Sequence, residues 1–287
     1  GNALLAAVRE LVIACSISCD DQRQRSGFLR NVIIRRSGLG EMMLVLITRS
    51  PRDEADRLFL ERCAELGARF SDVQSIVWGI NDTLSPVPPG PFTLLSGREY
   101  IREKVTGIEF RISAQSFFQA NVPNLERFVT AVLDAAHLAP TDVVWDLYAG
   151  TGTLTLPLAQ RCTHVIGVES NVAATRDARA NAERNGITNV TFITADLHDR
   201  SAWGQLDIVS EPHVVVLDPP RAGMHPHLTE YLRQRLPRRI VYVSCNPATQ
   251  ARDVAMLNHA YRVVAVQPID MFPQTYHVES IAVLERR

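Results

Sequence analysis

Val143-Val144-Trp145-Asp146-Leu147-Tyr148-Ala149-Gly150-Thr151-Gly152-Thr153 decides how this 287-residue chain folds. Val143 to Leu147 predicts a strand, and Leu154 to Arg161 predicts the helix that follows it. Between them two glycines let the backbone turn sharply and approach a ligand closely, beside the positive end of a helix. Downstream the alternation continues. Val165 to Val168, Val190 to Ile193, His213 to Leu217 and Ile240 to Val243 read as strands. Asn171 to Asn185 (ended by Gly186), Leu228 to Arg235 and Ala248 to Asn258 read as helices between and after them. Tyr261 to Gln267 and Ser280 to Leu284 are expected to close the sheet as an antiparallel pair at its edge. This rhythm is that of an α/β, doubly wound, Rossmann-like sheet.

Upstream, the rhythm changes at Ala114-Gln115-Ser116-Phe117-Phe118-Gln119-Ala120-Asn121. Val122 to His137 follows as a helix with apolar residues at Leu125, Phe128, Val129 and Val132. Residues 1–112 read as a smaller N-terminal α+β domain and 113–287 as the domain that holds the sheet. In the smaller domain Ala3 to Ala14 has helical spacing. Arg23, Arg25, Arg30, Arg35 and Arg36 cluster around Phe28 to Ile34, and Ser37 to Gly40 turns into the β-forming run Met42 to Thr48. That is a hairpin with a basic flank, either a solvated face or one turned toward nucleic acid. Pro51 to Gly67 predicts an amphipathic helix and Ser75 to Ile80 a strand. The breaker-rich Pro86-Val87-Pro88-Pro89-Gly90-Pro91 follows, and then strands within Thr93 to Ser113. Nothing there looks catalytic.

The bulk composition, 46% hydrophobic and 21% charged, is that of an ordinary globular protein, with no apolar run of membrane-spanning length. No membrane partner is expected, and the reading is a cytoplasmic monomer. The five cysteines form no CxxC pair, which favours a reducing compartment. The formal charge of −1 argues against a protein that coats nucleic acid indiscriminately. Contacts with RNA or DNA must come from local patches.

The glycine loop admits two ligands. A dinucleotide fold has the same layout, with Glu169 ending the next strand where a carboxylate grips ribose hydroxyls. Here Thr155 replaces the third glycine of GxGxxG, and Asp146 stands where a pyrophosphate would be repelled. Both departures favour a ligand without phosphate and with a positive centre, such as S-adenosylmethionine. Asp196, after the third strand, is placed to reach an adenine amine.

Two stretches carry chemistry. Val216-Leu217-Asp218-Pro219-Pro220-Arg221-Ala222-Gly223 follows the fourth strand, its prolines stiffening the turn. Enzymes that methylate amines use a related turn with an aromatic fourth residue. Arg221 in its place suits a ring carbon better. Val241-Tyr242-Val243-Ser244-Cys245-Asn246-Pro247 runs a strand into a turn and sets a thiol at the strand end. Alone, that thiol reads as a buried inert cysteine. Joined to the other stretches it reads as a nucleophile, because uracil C5 accepts a methyl group only after a thiolate has added to C6. The adduct then needs a base for the C5 proton, and Glu279, in Thr275-Tyr276-His277-Val278-Glu279, stands just before the last strand. A surface carboxylate there is the bland alternative. A thiol of ordinary pKa is only a few per cent ionised at neutral pH, and the sequence does not name its activator. His277 reads as structural, and Cys15, Cys19, Cys63 and Cys162 as packing or surface thiols. Gln119 either caps the following helix or reads a uracil edge or the cofactor with its amide.

Phe117-Phe118-Gln119-Ala120-Asn121, Asp146 to Gly152, Asp218 to Gly223, Ser244 to Pro247 and Asp270-Met271-Phe272-Pro273 to Glu279 occur in this order. Together they resemble the S-adenosylmethionine-dependent RNA uracil-5-methyltransferases. The likeness covers the last two-thirds of the chain, and extends weakly upstream through Gly27 to Asn31 and Ser96 to Ile101. It implies Cys245 as nucleophile and Glu279 as proton acceptor. It implies that Gln119, Tyr148, Gly150, Thr153, Glu169, Asp196 and Asp218 surround S-adenosylmethionine and the target base. The upstream wording is nearer the bacterial 23S rRNA branch than the tRNA branch, so rRNA is the expected partner and tRNA the alternative. Family members often carry an OB-type RNA-binding domain ahead of this region, and the rRNA branch a four-cysteine iron–sulfur site. Neither is found here; Cys15 and Cys19 lack the required partners, so no iron–sulfur cluster and no metal are expected. Arg233, Arg235, Arg238 and Arg239 are candidates for holding RNA backbone, and a solvated helix end explains them equally well. A non-catalytic RNA-binding module on the same fold, or an amine-methylating enzyme, are the competing readings.

Overall fold

The computed structural model describes residues 1–21, 23–24, 26–85, 90–199, 203–207 and 210–287. Arg25 of the basic cluster and Pro86 to Pro89 of the breaker-rich stretch lie outside them. The chain divides into two compact units, one of Gly1–Glu103 with Arg111–Gln115 and one of Lys104–Phe110 with Ser116–Arg287.

The first unit comprises α1 (Asn2–Ala14), β1 (Leu29–Arg36), β2 (Met42–Thr48), α2 (Glu54–Arg69), β3 (Val73–Ile80) and β4 (Phe92–Gly97). The hairpin β5 (Tyr100–Val105) and β6 (Ile108–Ser113) follows, and the division between the units runs through it. Four strands form a sheet in the order β1-β2-β3-β4. β1 and β2 pair antiparallel as the sequence predicts, whereas β2 and β3 run parallel. A parallel neighbour requires a crossover, and α2 supplies it, started by the Asp53 side chain accepting from the Asp56 N–H. Met42, Leu44 and Leu46 alternate onto the face that packs Leu4, Val8, Phe59 and Cys63. Two arginines of the basic flank are tied to their own unit. Arg30 donates to the carbonyls of Asn81 and Thr83, each at 2.7 Å, and Arg35 donates to that of Ser113 at 2.9 Å.

The second unit contains α3 (Val122–Ala136), β7 (Val143–Leu147), α4 (Thr155–Ala159), β8 (His164–Glu169), α5 (Val172–Arg184) and β9 (Val190–Thr194). It continues with α6 (Trp203–Asp207), β10 (Val214–Leu217), α7 (Pro226–Arg235), β11 (Arg239–Ser244), α8 (Pro247–Leu257), β12 (Tyr261–Ile269) and β13 (Glu279–Arg286). Seven strands pair in the order β12-β13-β11-β10-β7-β8-β9. All neighbours are parallel except β13, which is antiparallel to both β11 and β12. β13 therefore lies inside the sheet, and β12 alone forms that edge.

Strand parity separates two cores. Val144, Val165, Val214, Val216, Val241 and Val243 face α3 and α4 on one side. Trp145, Ile166, Val215, Leu217, Ile240 and Tyr242 face α7 and α8 on the other. That double burial explains why β10 is apolar at all four positions. Strand order reverses between β7 and β10, and the crevice at such a reversal is where open α/β sheets bind ligands. Among the described residues no helix is long and apolar enough to cross a membrane.

Candidate active site

A cavity of about 720 Å³ opens at the carboxyl ends of the parallel strands, within the usual size of small-molecule sites. Eight of the nine residues singled out in the sequence line it: Gln119, Tyr148, Gly150, Glu169, Asp196, Asp218, Cys245 and Glu279. Thr153 stands apart. It lines a smaller recess of about 50 Å³ that also touches Asp146, Gly150 and Asp218, and its hydroxyl pairs with that of Thr151 at 3.2 Å.

The loop after β7 is shaped by left-handed backbone. Tyr148, Gly150 and Gly152 have φ of 70°, 55° and 85°. At Tyr148 this conformation is costly for a side chain, on the order of 1–3 kcal/mol. It lets the N–H groups of Tyr148 and Ala149 both donate to the Val168 carbonyl at 2.9 Å, which ties the loop to β8. Gly150 donates to Glu169 Oε2 at 3.0 Å, while Asn171 N–H donates to Oε1 at 2.7 Å. Glu169 is thereby held against the loop with acceptor capacity left on both oxygens. No atom lies within 4 Å of where a Cβ on Gly150 would sit, so its backbone can be approached closely. The Tyr148 hydroxyl and one oxygen each of Asp146 and Glu279 are buried without a hydrogen-bond partner. An adenosyl group with a cationic centre fits this wall of acceptors, which would repel a phosphate chain.

The carboxylates respond to their confinement. Burial pushes Asp146 up to about 7 despite the 2.5 Å bond donated by the Thr155 hydroxyl, and the charges of Asp218 and Glu169 add to the rise. Asp218 is lifted to about 8 by burial and by the neighbouring Glu279. Glu279, only 2% exposed, rises to about 7 by burial.

Cys245 is half-buried between β11 and α8. Ser244 Oγ and the backbone of Asn246 bond across it at 3.1 Å, and the Asn246 side chain caps α8 by accepting from Ala248 N–H at 3.1 Å. Burial raises the thiol pKa, and the Glu279 carboxylate raises it further. The Arg221 guanidinium opposes both by hydrogen-bonding the thiol and by its charge. Among the described residues acting on Cys245, Arg221 alone favours its thiolate. Its Nη2 also lies 3.3 Å from His277 Nε2, so that histidine orients the arginine.

α8 holds the Arg221 loop from below. The Asn246 amide and the Thr249 hydroxyl donate to the Arg221 carbonyl at 3.2 and 3.3 Å, and Arg252 donates to the Ala222 carbonyl at 2.9 Å. Asp253, 1% exposed, accepts from Met224 N–H at 2.7 Å and from the Tyr242 hydroxyl at 2.6 Å. A Cβ on Gly223 would come within 2.5 Å of an Asp253 oxygen, and its φ of 81° independently requires glycine. Sequence reading passes over Asp253; a carboxylate on the apolar side of a helix was the available signal.

The four arginines considered for RNA backbone are paired with carboxylates. Arg233 meets Glu230 at 3.1 Å, Arg238 meets Asp142 at 2.5 Å, Arg235 bonds Glu211 and Arg239 bonds Glu285. Arg233 and Arg235 lie in the last turn of α7, Arg239 starts β11 with Arg238 just before it, and none of the four lines the cavity, which agrees with a structural role.

A family profile described as tRNA (uracil-5-)-methyltransferase matches residues 94–287. An uncharacterized RNA methyltransferase of Bacteroides thetaiotaomicron is 37% identical over 290 residues, covering 100% of this chain and 63% of the relative. One from Chlorobaculum tepidum is 38% identical, covering 99% of this chain and 59% of the relative. The chain thus spans about three-fifths of the length of these curated relatives. Among solved structures, the Pyrococcus abyssi tRNA (uracil-54, C5)-methyltransferase in complex with S-adenosyl-L-homocysteine superposes with a TM-score of 0.77 at 33% identity. The match covers 97% of this chain and 65% of that one. The Methanocaldococcus jannaschii tRNA m1G37 methyltransferase, at 13% identity and a TM-score of 0.55, covers 93% of this chain and 78% of its own and shares the fold.

Proposed function

Because the chain belongs to the tRNA (uracil-5-)-methyltransferase family, we propose that it forms 5-methyluridine in RNA, with Cys245 as nucleophile and Glu279 as base. The observation that carries this reading is the meeting of that thiol and that carboxylate on one cavity with the glycine loop. The target uridine must leave its stack to present C5 and C6, so it flips into the cleft. The Cys245 thiolate, stabilised by Arg221, adds to C6 and moves an electron pair toward C5. S-adenosylmethionine, held by the Gly150 loop, Glu169 and Asp196, supplies when bound the electrophilic methyl group that C5 takes up. Glu279 then accepts the C5 proton, the C5=C6 double bond re-forms, and the thiolate leaves. Asp218, neutral near pH 7 by its raised pKa, is suited to donate a hydrogen bond to the uracil edge. Gln119 is suited to read the same edge with its amide.

The test is trapping with RNA that carries 5-fluorouridine, whose C5 has no proton to lose. The intact protein should form a stable adduct in the presence of the methyl donor, and Cys245→Ala should form none. An adduct that survives in Cys245→Ala removes the nucleophile from the scheme.

For the substrate, the upstream likeness of Gly27 to Asn31 and Ser96 to Ile101 favours rRNA, within the 23S branch. The tRNA reading is favoured by the Pyrococcus abyssi neighbour. Incubation with labelled methyl donor and separated rRNA and tRNA pools decides between them by which pool retains label.

A further inference from the structure

We propose that Tyr276, seated on His277, is a stacking subsite for an unpaired RNA base next to the flipped uridine, an assignment that rests on the uridine reading above. The segment between β12 and β13 carries a ladder of rings that climbs from the cavity to solvent. Phe272 lines the cavity. His277 meets it edge-on at 6.0 Å and 73°, and Tyr276 lies tilted over His277 at 4.1 Å and 46°. Tyr276 is 92% exposed, the highest value among the exposed large hydrophobic side chains of the described residues. An aromatic ring left so open loses the burial that normally places it, so its position needs another cause.

The turn beneath it is built. Thr275 N–H and Oγ1 both bond the Phe272 carbonyl, at 3.2 and 2.7 Å, and His277 N–H donates to Thr275 Oγ1 at 3.1 Å. Gln274 takes a left-handed φ of 68° at the tip. The His277 ring also meets Arg221, whose guanidinium acts on the Cys245 thiol, through Nε2 at 3.3 Å. One chain of contacts therefore runs from the sulfur to the outermost ring.

Extruding a uridine leaves its neighbours with one unstacked face each. An exposed aromatic ring accepts such a face whatever the base, and the cationic Arg221 below suits the adjoining phosphate. The occupant is thus a flanking nucleobase of single-stranded RNA. Any of the four bases is accommodated, since a π face is all that stacking reads.

The experiment measures binding of a single-stranded heptaribonucleotide with one central uridine, and of two versions with an abasic ribose on either side of it. Tyr276→Ala should bind the intact oligonucleotide about tenfold more weakly, the usual effect of losing one base–aromatic stack, and Tyr276→Phe should bind it like wild type. One abasic version should weaken wild type by a similar factor and leave Tyr276→Ala unchanged. Wild-type affinity in Tyr276→Ala, additive effects of ring and base removal, or no binding of the oligonucleotide by wild type each overturns the subsite. Adduct formation on 5-fluorouridine RNA at saturating concentration should persist in Tyr276→Ala. Its loss in wild type as well would instead indict the uridine chemistry.

Discussion

Ser244, the last residue of β11, pairs directly with Ser280 of the antiparallel β13. One residue beyond that pair on each side stand Cys245 and Glu279, which line the same cavity. The proposed nucleophile and the proposed base thus flank the last registered pair of two neighbouring strands. Only a reversed strand beside β11 does this, because its amino end lies at the carboxyl end of the others. The same proximity has a cost, since the Glu279 charge makes the thiolate harder to form.

That conflict predicts opposite effects from two substitutions. Glu279→Gln removes the opposing charge, so Cys245 should ionise at lower pH and react faster with iodoacetamide at pH 7. Its product release should fail, leaving a methylated covalent adduct with ordinary uridine RNA. Arg221→Gln removes the counter-charge, so the thiol should ionise at higher pH and alkylation at pH 7 should slow. A faster Arg221→Gln thiol would contradict the assignment of Arg221 as activator.

The pH dependence follows in sign from the same groups. The proposed mechanism needs a Cys245 thiolate, whose pKa is raised, and an ionised Glu279, whose pKa is pushed up to about 7. Product formation should therefore rise with pH through about 7 as Glu279 ionises, and adduct formation should keep rising above that as the thiol ionises. Replacing Glu279 by Gln should shift the rising limb of adduct formation to lower pH. Single-turnover rates between pH 6 and 9 report it.

Glu279 also links function to stability. Its folded pKa of about 7 exceeds the ordinary value of 4.5, so the folded state prefers the protonated form. Below pH 4.5 the group is neutral in both states and wild type pays no penalty. As pH rises from 4.5 through 7 the penalty grows, to about 3 kcal/mol for a shift of this size. Glu279→Gln should then be more stable than wild type at pH 8, and the difference should vanish by pH 4.5. Urea titrations at the two pH values measure it. An equal offset at both would show that the carboxylate is not burdened by burial.

Much of this was legible in the chain because the relevant signals are local. The β7 strand, its glycine loop and the alternating elements after it follow from periodicity and turn residues within short windows. The hidden features depend on partners far apart in sequence. Arg221 could be read only as a departure from an aromatic position, since its thiol and imidazole partners arrive through the β10–β11–β13 pairing. The insertion of β13 inside the sheet is likewise a matter of strand order, which periodicity does not encode. The arginines near β11 looked available because their carboxylates, Asp142, Glu211 and Glu285, come from other elements. Thr153 illustrates the converse. It shares the loop with Gly150, yet it lines an adjoining recess, bounded like the cavity by Gln119, Tyr148, Gly150 and Asp218.

The α8 clamp gives the last prediction. Asp253 touches neither cavity nor thiol, yet it holds Met224 and Tyr242, while its neighbour Arg252 holds the Ala222 carbonyl. Asp253→Ala strands a buried hydroxyl and a buried N–H and should destabilise the protein by about 3–5 kcal/mol. Asp253→Asn keeps one acceptor oxygen for those donors and should cost about 1–2 kcal/mol, leaving a folded protein for kinetics. If the clamp sets the aim of Arg221, Asp253→Asn should lower the single-turnover rate and slow thiol alkylation at pH 7, with S-adenosylmethionine affinity unchanged. A purely structural Asp253 would lower the unfolding midpoint in urea and leave the alkylation pH profile of Cys245 where it is in wild type.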